Sequence, residues 1–357
     1  MPLDREQVIT ALRSVQDPEL FKDIVTLNMV KDVAVDGTTV NLTVELTTPA
    51  CPLKDIIRKD VDEALRRIGA KAINLEFTAN TRGPLQPRSD LLPQVKNVIA
   101  VGAGKGGVGK STIALNIAIG LQREGARVGL MDGDIYGPSM PTMLGIKGHA
   151  ASVRGNKLIP FCVHGIHAIT IGALVEEDKP LIWRGPMAHG AFKQLFSDNT
   201  EWPELDYLVV DLPPGTGDVP LTLCQLLPLT GAVVVATPQQ VALDDAIRAV
   251  RMFQQLGCPV LGVVENMSYF IDPATGTEFD VFGRGGAEKT AQHLNLPFLG
   301  AIPMYPELRV NCDAGQPHRN FEGNPKLKAA LEHMVKTLAG QISLRNMEAR
   351  PVELNIV

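Results

Sequence analysis

Several features that mark whole classes of protein are absent from this chain of 357 residues. Aromatic residues make up only 5 % of it, and its five cysteines are an odd number scattered along the sequence. That distribution does not suit a disulfide framework and favours a reducing cytoplasm. The longest apolar stretches, such as GAVVVATP, have the length of a strand and are too short to span a bilayer.

The distribution of charge excludes further classes. No block of five basic residues occurs and the formal net charge is −5, which disfavours a general binder of nucleic acid or of anionic membranes. The first ten residues, MPLDREQVIT, carry acids and lack the apolar segment of a signal peptide. We therefore expect a cytoplasmic protein with neither nucleic acid nor a membrane as its partner.

Composition divides the chain near residues 81–94. This stretch, TRGPLQPRSDLLPQ, contains three prolines and a glycine and predicts a linker. Residues 1–80 combine amphipathic helices with strands, which predicts a small α/β domain. In residues 95–343, six apolar strands are separated by helix-like stretches, and residues 344–357 form a C-terminal tail. That order predicts a mostly parallel, doubly wound sheet whose ligands bind beyond the carboxyl ends of the strands.

The stretch GKGGVGKST follows a predicted strand and opens a predicted helix. Residues 104–111 fit the pattern G-x-x-x-x-G-K-[ST], in which backbone N–H groups surround phosphate oxygens at a helix N-terminus. We expect Lys110 to reach the β- and γ-phosphates of ATP and the Ser111 hydroxyl to bind Mg²⁺. The residues predicted to bind the nucleotide here are Gly104, Lys105, Gly106, Gly107, Val108, Gly109, Lys110, Ser111 and Thr112.

A dinucleotide-binding site is an alternative for the same glycines. Gly102, Gly104 and Gly107 also satisfy G-x-G-x-x-G, and LMDGD ends the next strand with acids that could hold a ribose. A Rossmann oxidoreductase of this kind would leave Lys110 and Ser111 without a function.

Acidic residues end two of the predicted strands. Asp211 closes the apolar strand of YLVVDLPPGTGD and could hold Mg²⁺ directly or through water, as a Walker B acid does. Asp132 and Asp134 of LMDGDIYGPSMP could position the attacking water or support the metal. The alternative is that these acids only form turns, which suits Asp132 better than Asp134.

Five motifs together resemble one family of ATPases. GKGGVGKST contains the additional lysine of the deviant Walker A class, which includes MinD, ParA and the nitrogenase iron protein. With DGDIYGPS, WRGPM, DLPPGTGD and ENMSYF, it is similar to the Mrp/ApbC iron–sulfur cluster carrier ATPases over about residues 95–340. DPEL and TTPACPLKD, in residues 5–80, resemble the small domain often fused in front of these ATPases and found in iron–sulfur assembly factors.

The resemblance implies a homodimer and roles for further residues. In the deviant class the additional lysine, here Lys105, crosses the dimer interface and contacts the phosphates in the partner's site. A cation supplied in this way stabilises transition-state charge only when two subunits close on nucleotide. The resemblance also places Asp134 in a first switch, residues 211–218 in a second, and Asn266 against the adenine ring.

One motif of that family is missing. Most relatives carry a C-x-x-C shortly after ENMSYF, and its thiolates hold a [4Fe–4S] cluster across the dimer. Residues 272–275 of this chain read DPAT, and no C-x-x-C occurs anywhere in it. Because carboxylate and hydroxyl groups are poor ligands for iron–sulfur iron, a [4Fe–4S] cluster would need other ligands here.

Cys51, in TTPACPLKD, is the remaining candidate ligand. It precedes a predicted helix that has Pro52 early in its first turn, and a helix N-terminus lowers a thiol pKa. The resemblance places Asp17 and Glu19 near it. Cys51 would then bind or relay a cluster or sulfur, unless it is a structural cysteine beside a helix cap. We expect core positions for Cys162, Cys224, Cys258 and Cys312.

Two functions follow from these patterns. The first is a slow, Mg-dependent ATPase, with Lys105, Lys110, Asp134 and Asp211 as catalytic residues, that assembles or delivers iron–sulfur clusters to apoproteins. The second is a nucleotide-switched scaffold or partitioning ATPase, similar to MinD or ParA, without a cluster. The second predicts a membrane-seeking C-terminal helix or a basic surface, and the tail MEARPVELNIV and the absence of basic runs disfavour both.

Overall fold

A computed structural model describes residues 3–18, 22–84, 91–135, 137–155, 157–173 and 200–348. The motif WRGPM, Glu19 and parts of the predicted linker and tail lie outside these described residues. The chain divides into two compact units. One contains the residues up to Arg82 and the end of the last helix from Ser343, and the other is Gly83–Ile342.

The small unit has a three-stranded sheet with two helices. Its elements are α1 (Arg5–Leu12), β1 (Gln16–Asp17), β2 (Lys22–Asp23), β3 (Val30–Asp36), β4 (Thr39–Leu46), α2 (Lys54–Arg67) and β5 (Ala72–Ala79). Strand β4 is central, antiparallel to β3 and parallel to β5. Every second residue of β4 is buried, as in a strand with one face on a core. Gly69 ends α2 in a left-handed conformation, φ 99°, which glycine adopts without steric cost.

The large unit alternates strands and helices. Its elements are β6 (Val95–Gly102), α3 (Lys110–Arg123), β7 (Val128–Asp132), α4 (Met140–Met143), β8 (Ser152–Arg154), β9 (Lys157–Ile159), β10 (Phe161–Val163), β11 (Ile166–Thr170), β12 (Leu205–Asp211), α5 (Asp218–Leu226), β13 (Gly231–Ala236), α6 (Gln240–Gln255), β14 (Val260–Ile271), β15 (Glu278–Phe279), α7 (Gly286–His293), β16 (Phe298–Met304), α8 (Pro306–Asp313) and α9 (Pro325–Glu348). The last helix extends five residues into the segment that the sequence assigned to the tail. Within the described ranges no helix is long and apolar enough to cross a bilayer.

In the described part of this unit, nine strands form one sheet. Its order is β10-β11-β7-β12-β6-β13-β14, and both β15 and β16 pair with β14. All pairings are parallel except those of β10 and β15, which are antiparallel. The prediction of a mostly parallel α/β sheet is confirmed, and each of the six predicted strands is present.

Helices cover both faces of the sheet because its central strands are apolar on both sides. In β6, Val98 and Ala100 share a core cluster with Leu223 of α5 and Phe253 of α6. The alternate residue Ile99 is equally buried, and by the period of a strand it faces the opposite side. The carboxyl ends of β6, β7 and β12 lie at one edge together with the middle of β14, and the site described below is built there.

A charge cluster lies at the opposite edge, where β12 begins. Asp206 accepts hydrogen bonds from Lys96 Nζ at 2.9 Å and from the Arg127 backbone N–H at 3.0 Å and guanidinium Nη2 at 3.1 Å. Burial alone would raise the pKa of Asp206, but the bonds from Arg127 and Lys96 outweigh burial and hold that pKa below its usual range. The carboxylate therefore stabilises the junction between β6, β7 and β12.

Asp206→Asn should lower the free energy of unfolding by about 2 kcal/mol at pH 7, since hydrogen bonds to charged groups are worth roughly this much. A lowered native pKa gives stability that is present above the unfolded pKa of about 3.9 and is lost as pH falls through the native value. The difference between wild type and variant should thus be constant above about pH 5 and shrink below about pH 4.

Urea unfolding across this pH range measures the effect. Asp313→Asn is the matched control, because Asp313 pairs with Arg309 on an exposed helix surface and should contribute about 0.5 kcal/mol or less. Equal losses in both variants would contradict the assignment.

Candidate nucleotide site

The phosphate loop connects the end of β6 to the start of α3. Gly107 and Gly109 adopt φ values of 82° and 80°, a region that side chains other than glycine rarely occupy. A Cβ at Gly104 would overlap the backbone of Asp245 in α6, and one at Gly109 would overlap the Asn266 amide. The glycines therefore permit both the turn and its close packing against the sheet edge.

Lys110 is held between carboxylates of neighbouring strands. Its Nζ donates to Asp211 Oδ1 at 2.5 Å and to Ser111 Oγ at 3.3 Å, and lies 3.6 Å from Asp134 Oδ2. The lysine is only 6 % exposed. Its ammonium group is thus fixed beyond the strand ends, where the loop's N–H groups and the start of α3 add positive potential.

Asp211 is a buried carboxylate, and only one of its two oxygens accepts a hydrogen bond within the described residues. Burial raises its pKa, while the nearby Lys110 ammonium acts in the opposite direction. Oδ1 accepts the lysine hydrogen bond, whereas Oδ2 is buried and has no hydrogen-bond partner among the described residues. Buried polar atoms are almost always paired, so the orphaned oxygen fits a site that binds a cation or a water.

Asp132 and Asp134 have different roles in the structure. Asp132 is fully buried and accepts hydrogen bonds from Thr170 Oγ1 at 2.9 Å and from the N–H groups of Asp134 and Met140 at 3.1 and 3.3 Å. Burial, reinforced by the charge of Asp211, raises the pKa of Asp132 to about 7. Asp132 therefore organises the loop after β7, and that loop places Asp134 beside Lys110.

Two consecutive residues in the middle of β14 anchor different segments. The Asn266 side chain donates from Nδ2 to the Val108 carbonyl of the phosphate loop at 2.8 Å. Glu265 is completely buried, and its carboxylate accepts from Ser268 Oγ at 2.5 Å and from the Gly285 and Ala287 N–H groups at 2.8 and 2.7 Å. Sequence reasoning missed Glu265, although a single acid inside the apolar strand LGVVEN was a signal.

Lys105 differs from Lys110 in its surroundings. It is half-buried on the loop, and among the described residues no acidic group lies within ion-pair distance of its Nζ. The loop after β12 lies alongside, since the Gly215 N–H donates to the Ala103 carbonyl at 2.9 Å. The structure thus brings Lys105, Lys110, Ser111, Asp134, Asp211 and Asn266 to one edge of the sheet.

The surroundings of Cys51 differ from those that the sequence predicted. Helix α2 begins at Lys54, so Pro52 lies in the turn before it and not inside its first turn. The prediction was wrong because residues 51–54 form a separate turn, in which the Lys54 N–H donates to the Cys51 carbonyl at 3.4 Å, and the first bond of the helix accepts at the Leu53 carbonyl. Cys51 itself is buried in the small unit.

Cys162 was expected in a core and is exposed. It lies on β10, which among the described strands pairs only with β11, and its side chain is exposed there. Cys224, Cys258 and Cys312 are buried as predicted, and none of the five cysteines forms a disulfide. Burial raises the pKa of Cys224 to about 12, which suits a packing role.

The described residues contain no group of three or more His, Cys, Asp or Glu side chains placed to hold a metal ion.

Comparison with protein-family models identifies the family of the chain. Residues 94–339, more than half of its length, match the model described as the NUBPL iron-transfer P-loop NTPase. The chain belongs to this family. Residues 5–74 match a second model, described as an iron–sulfur cluster assembly protein.

Relatives of this NUBPL-family chain extend the match along its whole length. An iron–sulfur cluster carrier protein of Synechocystis sp. is 48 % identical over 351 residues, which cover 96 % of this chain and 99 % of the relative. The protein of the same name from Escherichia coli K12 is 42 % identical over 95 % of this chain and 92 % of its own. The resemblance drawn from the sequence motifs is confirmed.

Solved structures have the same fold as the large unit. A nucleotide-binding protein of Archaeoglobus fulgidus, solved in complex with ADP, has a TM-score of 0.58 and 35 % identity, and the match covers 65 % of this chain and 93 % of that one. Pyrococcus furiosus MinD, a cell division ATPase, has a TM-score of 0.51 at 19 % identity over 68 % of this chain and 97 % of that one. The P-loop NTPase fold predicted for this chain is thereby confirmed.

Proposed function

We propose that this chain is a Mg-dependent ATPase that carries iron–sulfur clusters to apoproteins in a reducing cytoplasm. The observation that carries the proposal is the meeting of Lys110 and Ser111 with Asp211 and Asp134, in a chain 48 % identical to a protein named as a cluster carrier. The motif supplies the phosphate-binding backbone, and the strand ends supply the acids that a P-loop NTPase uses.

The residues around Lys110 suit Mg-ATP. Ser111 Oγ and the orphaned Asp211 Oδ2 are hard oxygen donors of the kind that Mg²⁺ prefers, and these two would hold the ion. When bound, Mg²⁺ would neutralise charge on the β- and γ-phosphates. Lys110 would exchange its carboxylate partners for phosphate oxygens, which releases Asp134 to orient the attacking water.

Asn266 would serve the nucleotide in two ways. Its Nδ2 already braces the phosphate loop through the Val108 carbonyl. The remaining amide oxygen is the acceptor that an adenine amino group would need. This extends the role predicted for Asn266, because the same side chain would then connect the base to the phosphates.

Lys105 would complete the site of a second subunit. Its position on the loop, half-exposed and without an acidic partner in the described part of the chain, suits a cation that acts outside its own subunit. A trans contact of this kind makes hydrolysis depend on closure of a homodimer. Hydrolysis would accordingly be slow and would gate a conformational change of the dimer.

The cargo would be an iron–sulfur cluster, with Cys51 as a candidate ligand or relay. The match of residues 5–74 to an iron–sulfur assembly model supports a role for the small unit in this step. A scaffold or partitioning ATPase is less well supported, since the likeness to MinD is 19 % identical and concerns the fold alone. The absence of C-x-x-C from the sequence means that the ligands differ from those of most relatives.

Anaerobic reconstitution with iron and sulfide tests the carrier function. We expect the wild-type protein to bind a cluster, detected by absorption and Mössbauer spectra, and to pass it to an apo-ferredoxin. Cys51→Ala should lose most of the bound iron and sulfide, because a thiolate ligand cannot be replaced by a methyl group.

Cys162→Ala is the matched control, since Cys162 is exposed and lies in the other unit; it should retain the full cluster. A wild-type protein without a stoichiometric cluster would overturn the carrier proposal. An undiminished cluster on the Cys51 variant would remove Cys51 and leave the carrier proposal standing.

A further inference from the structure

A buried threonine hydroxyl lies beside the acid that ends β7. Thr170 is the last residue of β11, and its register partner in the parallel sheet is Asp132, the last residue of β7. Thr170 is 1 % exposed, and its Oγ1 donates a hydrogen bond to Asp132 Oδ2 at 2.9 Å. A hydroxyl group has a single hydrogen, so the Thr170 hydroxyl uses its hydrogen on this carboxylate.

The orientation of the Asp132 carboxylate decides the position of the Asp134 backbone. Asp132 Oδ1 accepts the Asp134 N–H at 3.1 Å, which closes a turn over two residues, and Oδ2 also accepts the Met140 N–H at 3.3 Å. The last torsion of an aspartate side chain is broad, so its hydrogen-bond partners set its angle. The hydroxyl of Thr170 is the side-chain partner among them, and without it the carboxylate is free to turn away from the Asp134 N–H.

Thr170 also fixes the turn that follows β11. Its Oγ1 accepts the Gly172 N–H at 3.1 Å, inside the 3₁₀ turn Ile171–Ala173. A Cβ on Gly172 would lie 3.0 Å from the side chains of both Pro138 and Pro141, so this turn packs closely against the loop after β7 and the start of α4. One hydroxyl thus supports that loop in two ways, by a hydrogen bond to its first acid and by packing from below.

The loop after β7 is held from its other side by β12. The Gly133 N–H donates to the backbone carbonyl of Asp211 at 2.9 Å, and β11 and β12 are the two neighbours of β7 in the sheet. The Asp134 carboxylate, 3.6 Å from Lys110 Nζ, is therefore carried by a backbone tied to both neighbouring strands. A displacement of about 1 Å in such a group can lower a rate about 10²-fold.

We propose that Thr170 is a positioning residue for ATP hydrolysis, whose hydroxyl acts through Asp132 to hold Asp134 where it orients the attacking water. The inference rests on the Mg-dependent ATPase proposed above. It assigns Thr170 to the hydrolytic step and not to nucleotide binding, because the loop of residues 104–111 holds the phosphates. Only a hydroxyl serves here, since one atom must donate to Asp132 and accept from Gly172.

Thr170→Val, which replaces the hydroxyl with a methyl group of similar size, tests the proposal. We expect kcat for ATP hydrolysis to fall about 10- to 100-fold, as for a misplaced catalytic group. ATP affinity should change by less than about twofold, because ground-state binding does not use the water-orienting acid. Thr170→Ser keeps the hydroxyl and should restore most of the wild-type kcat. Phosphate release and equilibrium binding of a fluorescent ATP analogue measure these effects.

Thr230→Val is the matched control. Thr230 is 5 % exposed, and its Oγ1 accepts the Val98 N–H at 3.1 Å at the opposite edge of the same sheet. The substitution removes a buried hydroxyl of the same kind, away from the loop after β7, and should leave kcat at the wild-type level. If Thr230→Val loses as much activity as Thr170→Val, the loss comes from weakened packing of the sheet and the positioning role is wrong.

A double-mutant cycle shows whether Thr170 acts through Asp134. In the Asp134→Asn background the carboxylate assigned to the water is already gone, so adding Thr170→Val should lower the single-turnover rate by less than about twofold. An equal loss in both backgrounds would overturn the inference, as would a wild-type kcat in Thr170→Val. Either result, with a wild-type protein that hydrolyses ATP, would leave the ATPase standing. Wild-type protein without ATP hydrolysis would overturn both proposals.

Discussion

Lys105→Ala will lower ATP hydrolysis about 10³-fold and change ATP affinity by less than about threefold. A cation that reaches the transferred phosphoryl group from a second subunit contributes at this level to the rate. It adds little to ground-state binding, because the loop's N–H groups and Lys110 already hold the phosphates. Steady-state phosphate release and equilibrium binding of a fluorescent ATP analogue measure the two effects.

Mixing two inactive variants decides whether Lys105 acts in trans. A dimer of one Lys105→Ala subunit and one Lys110→Ala subunit contains one site with both lysines intact. Random mixing makes half of the dimers heterodimers, so about a quarter of wild-type activity should return. If Lys105 acts within its own subunit, no mixed dimer has an intact site and activity stays at the level of the single variants.

Lys110→Ala will abolish nucleotide binding and destabilise the large unit by about 3–5 kcal/mol at pH 8, the usual cost of removing one partner from a buried ion pair. The lysine lies between Asp211 and Asp134 and is 6 % exposed. Its removal leaves these acids, together with Asp132, without a compensating cation. Lys105→Ala, in the same loop but without a carboxylate partner in the described chain, is the control and should leave stability within about 0.5 kcal/mol.

The loss caused by Lys110→Ala should depend on pH. Burial already raises the pKa of Asp211, and without Lys110 that pKa rises further because the opposing ammonium charge is gone. A group with a raised native pKa contributes stability that is present below its unfolded pKa and is lost as pH rises through the native value. The deficit should therefore be small near pH 4 and largest near pH 8. A deficit independent of pH would show that the lysine acts through packing alone.

The strands and the phosphate loop were predictable because their signals are local. Each of the six predicted strands is an apolar run between turn residues, as expected for a parallel sheet whose two faces are covered by helices. The pattern at residues 104–111 predicts a phosphate-binding loop. Such a loop needs glycines where its backbone turns, and Gly107 and Gly109 have the positive φ values of such positions. The presence of an acid at or just after the end of a strand, as at Asp211 and Asp134, could also be read from the sequence.

The remaining features depend on contacts between distant segments. Strands β8 to β11 have three to five residues each, too few to show a period. The burial of Asp132 depends on Thr170, 38 residues further along the chain, and the bond from Asn266 to Val108 spans 158 residues. The prediction that Cys162 lies in a core was wrong because its exposure follows from the position of β10 at the edge of the described part of the sheet, and sequence periodicity does not reveal that position.

Glu265 joins the two ends of the segment 269–284, which contains β15. Its carboxylate accepts hydrogen bonds from Ser268, before the segment 269–284, and from the N–H groups of Gly285 and Ala287, after it. The base of the loop is thereby closed by one side chain, and the entropy of closing a loop rises only slowly with its length. We therefore expect changes in the sequence or length of the intervening residues to leave the hydrogen bond from Asn266 to the phosphate loop in place.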